Sequence, residues 1–283
     1  MPLRVVQTID EVRAALADRA RLGTIGLVPT MGALHAGHAR LIEHAVKDCR
    51  TVVVSIFVNP LQFDRTDDLA RYPRPLQADL SLCEQLGAEL VFAPAPEEIY
   101  SEPPDVTVHV GETAKHLCGA FRPGHFDGVA TVVLKLFHIV QPDVAYFGEK
   151  DAQQLAINRR MVADLNLSVR IAPVETVREP DGLALSSRNQ HLGPAERALA
   201  PALFEALCAV RDGVAGGTTE AAALKRDAVE AIPSDERLRL EYLELVDPRT
   251  FQPVAAVTGP VIAAGALWVG STRLIDNVLC TPP

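Results

Sequence analysis

The chain has 283 residues, of which 48% are hydrophobic and 22% are charged, and its formal net charge is −9. This balance is typical of a soluble globular protein with one large domain or two modest domains. The acidic charge argues against a nucleic-acid partner, because neutralising phosphates requires clustered lysine and arginine, and no long basic run occurs.

Nothing in the sequence predicts a membrane segment or export. The least charged stretch, Pro253–Ser271, contains proline and several glycines and is short for a membrane span, so we expect two buried strands there. The N-terminus lacks the apolar core of a signal peptide. The cysteines lie far apart without metal-ligand spacing, which argues against a structural zinc and favours free thiols in a reducing cytoplasm. They are Cys49, Cys83, Cys118, Cys208 and Cys280. We therefore expect a cytoplasmic protein without a membrane partner.

Strands and helices alternate over the first 175 residues. The predicted helices are Asp10–Arg21, with Asp10 as its cap, and then Ala39–Asp48, Leu76–Leu86, Val129–Val140 and Asp151–Asp164. The predicted strands are Thr24–Val28, Thr51–Val58, Glu89–Phe92, Val106–Val110, Val144–Phe147 and Val169–Pro173. Such alternation favours a parallel sheet with right-handed crossovers. It predicts an α/β fold with a Rossmann-like, doubly wound domain over residues 1–175.

The composition of the chain changes after residue 175. A polar, turn-rich segment, Thr176–Asn189, is followed by two alanine-rich stretches that predict helices at Pro194–Arg211 and Thr219–Ala231. Three strands are predicted after them, at Arg239–Val246, Val261–Val269 and Arg273–Leu279. Residues 176–283 are therefore predicted to form a smaller α+β domain.

The stretch Leu27–Leu41, LVPTMGALHAGHARL, reads as a strand, a small-residue turn and a helix. A helix N-terminus offers unpaired N–H groups and a partial positive charge, which together suit a phosphate. His35 and His38 would project from the first turn toward that anion. A single histidine here would more often cap the turn or lie on the surface. The pair in HxGH instead resembles the nucleotidyl-transferring Rossmann enzymes, although the tetrapeptide identifies only that superfamily.

Polar residues follow three other predicted strands. They occur at Asn59–Phe63, at Gly148–Gln154 and at Val174–Asn189. Ligands in open α/β sheets bind beyond the carboxyl ends of the strands, so four such segments at one edge predict a binding site.

Each of these segments also has a structural explanation. Asn59 with Pro60 is a common turn starter, Asp151 and Gln154 can cap a helix, and Ser186–Arg188 can form a turn. The acidic cluster at 64, 67 and 68 is expected to be an exposed loop rather than a metal site. Arg122 and His125 in RPGHFDG could meet a substrate or lie in a surface loop.

The motifs taken together resemble one family. They are PTMGALHAGH, FVNPLQF, RYPR, FRPGHFDGVATVVLKLF, GEKDAQQL, TVREPDGLALSSRN and LELVDPRT, in this order over almost the whole chain. They are similar to the pantothenate synthetase family, the pantoate–β-alanine ligases. The resemblance implies an ATP-dependent ligase that makes a pantoyl-adenylate from pantoate, releases pyrophosphate, and lets β-alanine displace AMP. It also implies Mg²⁺ with ATP and a homodimer, while the metal ligands stay unassigned.

The resemblance also implies roles for individual residues. His38, His35, Lys150 and Arg188 would be the catalytic residues, and Asn59, Gln62 and Gln154 would bind pantoate or β-alanine. The ATP-binding residues would be Pro29, Thr30, Met31, Gly32, Ala33, Leu34, His35, Ala36, Gly37, His38, Gly148, Glu149, Lys150, Asp151, Val177, Leu185, Ser186, Ser187 and Arg188. The segment 182–189 would be mobile without nucleotide.

The chain departs from the family pattern at four positions. Leu185 stands where Met is frequent, a volume-conserving change. Ala152 and His138 replace more usual Tyr and Asn. Asp64 stands where Gly is usual, which adds a negative charge near an anionic site.

Three other functions would make different demands on the sequence. A related enzyme that transfers a nucleotidyl group onto a phosphorylated substrate would need extra basic residues. A tRNA synthetase would need an anticodon-reading region and a basic face. A regulatory nucleotide sensor would bind ATP without turnover and would need neither the two glutamines nor a phosphate loop.

Overall fold

The computed structural model describes residues 3–64 and 66–283, with only the backbone at residue 67, so that part of the predicted acidic loop lies outside the described residues. The chain divides into two compact units. The first comprises Met1–Val110, Arg122–Glu149 and Ile157–Glu175, and the second comprises Gly111–Phe121, Lys150–Ala156 and Thr176–Pro283. A break after Glu175 coincides with the predicted boundary, and two short earlier segments group with the C-terminal residues.

The elements are numbered in chain order. The strands are β1 Arg4–Val6, β2 Ile25–Thr30, β3 Thr51–Ile56, β4 Leu90–Phe92, β5 Val144–Gly148, β6 Arg170–Val174, β7 Leu238–Val246, β8 Val261–Val269 and β9 Thr272–Cys280. The helices are α1 Ile9–Ala15, α2 Arg19–Leu22, α3 Ala36–Asp48, α4 Thr66–Arg71, α5 Leu76–Gln85, α6 Pro96–Ile99, α7 Cys118–Phe121, α8 His125–Val140, α9 Ala152–Asp164, α10 Pro194–Leu199, α11 Ala202–Ala215 and α12 Ala221–Glu230.

The first unit contains a six-stranded parallel sheet in the order β1-β4-β3-β2-β5-β6. Strands β2 and β3 are almost completely buried, as expected for parallel strands covered by helices on both faces. The predicted doubly wound parallel sheet is confirmed. The strand order reverses between β2 and β5, and a crevice at such a point is where open α/β sheets bind ligands.

The second unit contains an antiparallel sheet in the order β7-β8-β9. Helices α11 and α12 share a buried core with it, formed by residues such as Leu203, Leu207, Leu224 and Leu267. Alanines of these helices, including Ala206 and Ala228, belong to the same buried core. The predicted smaller α+β fold is confirmed.

The prediction for the N-terminal helix was wrong in its extent and in its cap, and a preceding strand was not predicted. The helix predicted at Asp10–Arg21 is two short helices, and Thr8 rather than Asp10 caps the first of them through a capping box with Glu11. The strand β1 was missed because it has only three residues, and it is held by parallel pairing with β4.

Three further segments differ from their predictions. No strand forms at Val106–Val110, because the N–H groups of Val108 and Val110 donate to the side chains of Thr131 and Asp127 instead of a neighbouring strand. The helix predicted at 194–211 is broken near Pro201, which lacks an N–H group to continue it. The stretch 253–271 holds one strand, β8, rather than two. None of the helices within the described residues is long and apolar enough to cross a membrane.

Candidate active site

The turn after β2 has a defined shape that a buried carboxylate supports. Residue Ala33 has a positive φ of 50°. The carboxylate of Asp79, on α5, accepts the backbone N–H groups of Ala33 at 2.9 Å and of Leu34 at 2.8 Å. Burial raises the pKa of this carboxyl above its usual value, and the two N–H groups partly offset that rise. Asp79 therefore holds the turn that leads into the HxGH sequence.

The two histidines of that sequence form the N-terminal cap of α3. The Nδ1 atom of His35 accepts the N–H of Gly37 at 3.1 Å, and Nδ1 of His38 accepts the N–H of His35 at 3.3 Å. Their ring centroids lie 4.1 Å apart. Because each Nδ1 is an acceptor, the ring hydrogen of each neutral imidazole sits on Nε2. The helix N-terminus thus carries two Nε2–H donors.

Glycine is required between these histidines. A Cβ atom at Gly37 would lie 2.9 Å from Cε1 and 3.0 Å from Nδ1 of His35. The imidazole can therefore fold over the Gly37 backbone N–H only because this residue has no side chain. The spacing HxGH is thus explained by capping as well as by the phosphate chemistry that it predicts.

A short 3₁₀ turn, Pro60–Gln62, follows β3 at the same edge of the sheet. The side chains of Asn59 and Gln62 are both buried, with 1% and 9% of their surface exposed. The Nδ2 group of Asn59 donates to Gln62 Oε1 at 3.1 Å and to the carbonyl of Gly128 at 3.0 Å. Its Oδ1 atom accepts the Tyr100 hydroxyl at 3.0 Å. The turn is therefore tied to two distant parts of the first unit.

The RPGHFDG segment packs against this turn. The carbonyl oxygen of Gln62 accepts Nη2 of Arg122 at 3.0 Å and Nδ1 of His125 at 2.7 Å. Arg122 also donates from Nε to Asp64 at 3.0 Å. Burial raises the pKa of Asp64, but the hydrogen bond and charge of Arg122 outweigh burial and keep that pKa below its usual value. The extra negative charge of Asp64 is thus matched by an arginine within the same unit.

Lys150, Asp151 and Gln154 belong to the second unit, at the start of α9. Lys150 is mostly buried, with Nζ 3.9 Å from the Asp151 carboxylate. Its backbone carbonyl accepts the Nδ2 group of Asn277, on β9, at 3.0 Å. The neighbouring Gln153 donates to the carbonyls of Thr113 and His116, which leaves Gln154 on a different side of the helix.

The predicted phosphate-binding segment begins in a hydrogen-bonded hairpin. The N–H of Leu185 donates to the carbonyl of Val177 at 3.0 Å. Arg178 donates to the carbonyl of Gly182 and forms a bidentate ion pair with Asp276, and its guanidinium lies 4.0 Å from the ring centroid of Phe204. The base of the segment is therefore anchored on β9 and α11.

The tip of this segment is a second 3₁₀ turn, Ser187–His191, capped by the Ser186 hydroxyl. Ser186 accepts the N–H of Arg188 at 3.3 Å, and Asn189 donates from Nδ2 to the carbonyl of Ala184 at 3.0 Å. The side chains of Ser186, Ser187 and Arg188 are each partly exposed. The predicted mobility of residues 182–189 stays a prediction.

The structure brings part of the predicted site together within each unit. In the first unit, the predicted residues follow the carboxyl ends of the adjacent parallel strands β2, β3 and β5, so they share one sheet edge. These are Pro29, Thr30, Met31, Gly32, Ala33, Leu34, His35, Ala36, Gly37, His38, Asn59, Gln62, Gly148 and Glu149. The second unit holds Lys150, Asp151, Gln154, Val177, Leu185, Ser186, Ser187 and Arg188.

Three supporting residues were missed by sequence reasoning. Asp79, Tyr100 and Arg178 each hold a predicted site segment through contacts made by a buried or partly buried side chain. Only Asp79 left a local signal, since it is an acidic residue on the buried face of a helix. No group of three or more His, Cys, Asp or Glu side chains in the described parts of the chain could hold a metal ion.

Comparisons with known proteins agree on one family. The family model for pantoate-beta-alanine ligase matches residues 4–279. The chain is 52% identical over 282 residues to pantothenate synthetase 1 of Bradyrhizobium diazoefficiens, covering 98% of each protein. It is also 52% identical over 281 residues to a bifunctional pantoate ligase/cytidylate kinase of Thermosynechococcus vestitus, with 96% of this chain aligned, and spans 54% of that protein's length.

A solved structure supports the same assignment. The pantoate-beta-alanine ligase from Francisella tularensis, complexed with beta-gamma ATP and beta-alanine, matches with a TM-score of 0.82 at 33% identity. The alignment covers 98% of this chain and 97% of that one. A family model over nearly the whole chain, a relative of matching length that is 52% identical and a shared fold all point to one conclusion. The chain belongs to the pantoate–β-alanine ligase family.

Proposed function

We propose that the enzyme joins pantoate to β-alanine through a pantoyl-adenylate intermediate, with MgATP as the activating substrate. The observation that carries the proposal is the sheet edge of the first unit, where two imidazole Nε2–H donors at the start of α3 lie at the same edge as the buried Gln62 turn. A helix N-terminus with added donors suits phosphate, and a neutral amide suits a hydroxyacid.

The chemistry requires activation before the amide bond can form. A carboxylate is a poor electrophile, so the pantoate carboxylate oxygen attacks the α-phosphorus of ATP and the bond to the β-phosphate breaks. Pyrophosphate leaves with the electron pair. The β-alanine nitrogen, as the free amine, then attacks the acyl carbon, AMP leaves, and the nitrogen loses a proton to solvent.

The proposed role of the protein is to position the reactants and to stabilise the charge on the phosphates. His38 and His35 would donate hydrogen bonds to phosphate oxygens as charge grows, and Lys150 and Arg188 would neutralise the departing pyrophosphate. Gln62, Asn59 and Gln154 are proposed for the pantoate and β-alanine part of the reaction. No step needs a covalent bond to the protein, so alignment of the two substrates supplies much of the rate.

Mg²⁺ is proposed to arrive with ATP rather than to occupy a protein cage. Mg²⁺ commonly keeps several waters and binds one or two carboxylates together with substrate phosphates. The absence of a three-ligand cluster among the described residues is compatible with that mode. Asp151 is a half-exposed carboxylate 3.9 Å from Nζ of Lys150, which is one of the proposed phosphate-binding cations.

Pyrophosphate exchange tests the adenylate mechanism. Enzyme, pantoate, Mg²⁺ and ATP should move labelled pyrophosphate into ATP without β-alanine, and exchange should vanish without pantoate. Oxygen-18 in the pantoate carboxylate should appear in AMP once β-alanine is added. An acyl-phosphate route would release ADP and leave AMP unlabelled, and a nucleotide sensor would show no exchange; either result would overturn the proposal.

Lys150→Ala is expected to depress this half-reaction strongly, because its ammonium is assigned to the ATP phosphates. Lys115→Ala is the matched control, since Lys115 is an exposed lysine of the same unit whose ammonium pairs with the Glu112 carboxylate. Equal exchange rates in the two variants would remove Lys150 from the mechanism.

A homodimer in the cytoplasm is the proposed setting. The five free cysteines, four of them buried, are compatible with a reducing compartment. Light scattering at micromolar concentration should give twice the mass of one chain. A monomer mass under these conditions would refute the dimer.

A further inference from the structure

We infer that Tyr100 is a positioning residue of the pantoate site, which acts through Asn59 to hold the Gln62 amide with its N–H groups directed to the substrate. This inference rests on the proposed function, because that function assigns Gln62 to pantoate. It concerns the first unit alone, since all the residues involved belong to it.

The backbone fixes which way the Asn59 amide points. The N–H of Leu61 can only donate, and it lies 3.4 Å from Oδ1 of Asn59. The carbonyl of Gly128 can only accept, and it lies 3.0 Å from Nδ2. Exchanging the oxygen and nitrogen of the amide would set donor against donor and acceptor against acceptor. Asn59 therefore has one orientation.

The orientation of Asn59 in turn fixes that of Gln62. The second hydrogen on Nδ2 of Asn59 points to Oε1 of Gln62 at 3.1 Å. The acceptor of the Gln62 amide is thereby used inside the protein, and Nε2 lies on the other side, 3.1 Å from the sulfur of Met31. A thioether sulfur is a weak acceptor, so a substrate oxygen in its place would make a stronger hydrogen bond.

Tyr100 completes this arrangement from the end of α6. Its hydroxyl lies 3.0 Å from Oδ1 of Asn59, and because Oδ1 only accepts, the hydroxyl must donate. Burial raises the pKa of Tyr100 to about 12, so the phenol keeps its proton at neutral pH. The ammonium of Lys135 lies 5.2 Å from the centroid of the ring, at a distance typical of a cation–π contact. Tyr100 thus holds the acceptor side of Asn59 in place.

This arrangement gives Gln62 a preference for substrate oxygen atoms over an ammonium group. An amide that presents only N–H groups recognises carboxylate, carbonyl or hydroxyl oxygens and disfavours an ammonium group. Gln62 is therefore matched to the oxygens of pantoate rather than to the amine of β-alanine. Loss of the Tyr100 hydroxyl would leave Oδ1 of Asn59 with the longer bond from the Leu61 N–H, at 3.4 Å, and would so loosen the position of the Asn59 amide and, through it, of the Gln62 amide.

The test is Tyr100→Phe, which removes one hydroxyl and keeps the ring. In the pyrophosphate exchange assay, the KM for pantoate should rise about 3- to 10-fold, as for loss of one buried hydrogen bond. The KM for ATP should change less than about twofold, and thermal unfolding should show a folded protein. A purely structural role would move both KM values together.

Tyr146→Phe is the matched control. Tyr146 is another buried tyrosine of this unit, and its hydroxyl donates to the Asp48 carboxylate at 3.2 Å rather than to the Gln62 turn. Its pantoate KM should stay at the wild-type value. If wild-type exchange depends on pantoate but Tyr100→Phe leaves the pantoate KM unchanged, the inference fails while the proposed function stands. If wild-type enzyme shows no exchange, the proposed function itself fails.

Discussion

Gly128→Ala is the substitution for which the structure gives the most direct magnitude. A Cβ atom at this position would lie 2.3 Å from the carbonyl oxygen and 2.5 Å from the carbonyl carbon of Leu61. Both atoms are backbone, so no side chain can rotate away. Restoring a contact of about 3.0 Å requires the Pro60–Gln62 turn or α8 to retreat by about 0.7 Å, and overpacking of this kind typically destabilises a protein by about 1–3 kcal/mol.

The same displacement should also lower the activity of the enzyme with pantoate. Gln62 follows Leu61 in the displaced turn, and the Gly128 carbonyl is itself the acceptor for Asn59. A misplacement near 1 Å can lower a rate by about 10²-fold, so we expect kcat/KM for pantoate to fall by about 10- to 100-fold. Pyrophosphate exchange measured over a range of pantoate concentrations, at saturating ATP, gives this quantity directly.

Gly259→Ala provides the control, because a Cβ atom there would meet nothing within 4 Å. It should match wild type in both stability and exchange. Wild-type pantoate kinetics in Gly128→Ala would show that the turn adapts without moving Gln62, and the reasoning from close contact would be wrong. A urea titration on the same samples separates the kinetic effect from partial unfolding.

Three further predictions concern other parts of the molecule. His38→Ala should lower turnover at saturating substrates by about 10²–10³-fold, the usual effect of removing a donor to transition-state charge, and near-normal turnover would remove it from catalysis. Asn158 is fully buried, and neither polar atom of its side chain has a hydrogen-bond partner among the residues that the structure describes, so Asn158→Leu should raise the free energy of unfolding, measured in urea, by about 1–3 kcal/mol; a loss of stability would contradict this. Hydrogen bonds from Arg237 lower the pKa of Asp235 to about 2, against 3.8 for the free group. The stabilisation of the folded protein by this pair is therefore present above pH 3.8 and is lost as the pH falls through about 2. The melting temperatures of wild type and Asp235→Asn should therefore converge between about pH 4 and pH 2, and a constant difference would exclude this pair as the cause.

The parts of the fold that were predicted correctly are those with strong local patterns. The β-branched run at β3 and the alternation of strands and helices are properties of neighbouring residues, and both survive in the structure. The segment 106–110 has the same kind of pattern, yet its N–H groups bond to side chains of α8 some 17 to 23 residues away. A competing long-range partner of this kind leaves no trace in the local sequence.

The same distinction applies to the candidate site. HxGH lies within four residues and its capping bonds are local, so its place at a helix start could be read from the sequence. The support of the preceding turn comes from Asp79, 45 and 46 residues later, and that of Asn59 comes from Tyr100, 41 residues later. The tertiary fold decides which side chains orient a site residue. Local sequence patterns do not reveal these distant partners.

The bond between Asn277 and the Lys150 carbonyl has a consequence for folding. It joins residues 127 positions apart in the chain, and Arg178 reaches Asp276 across 98 positions. Contacts between such distant residues require a large loss of chain entropy and tend to form late. The contact between β9 and the start of α9 should thus form late in folding, as should the pairing of β2 with β5, beside which Ile25 and Asp143 are hydrogen-bonded across 118 positions. The return of pyrophosphate exchange during refolding is therefore expected to lag behind the helical signal in circular dichroism, which local contacts supply.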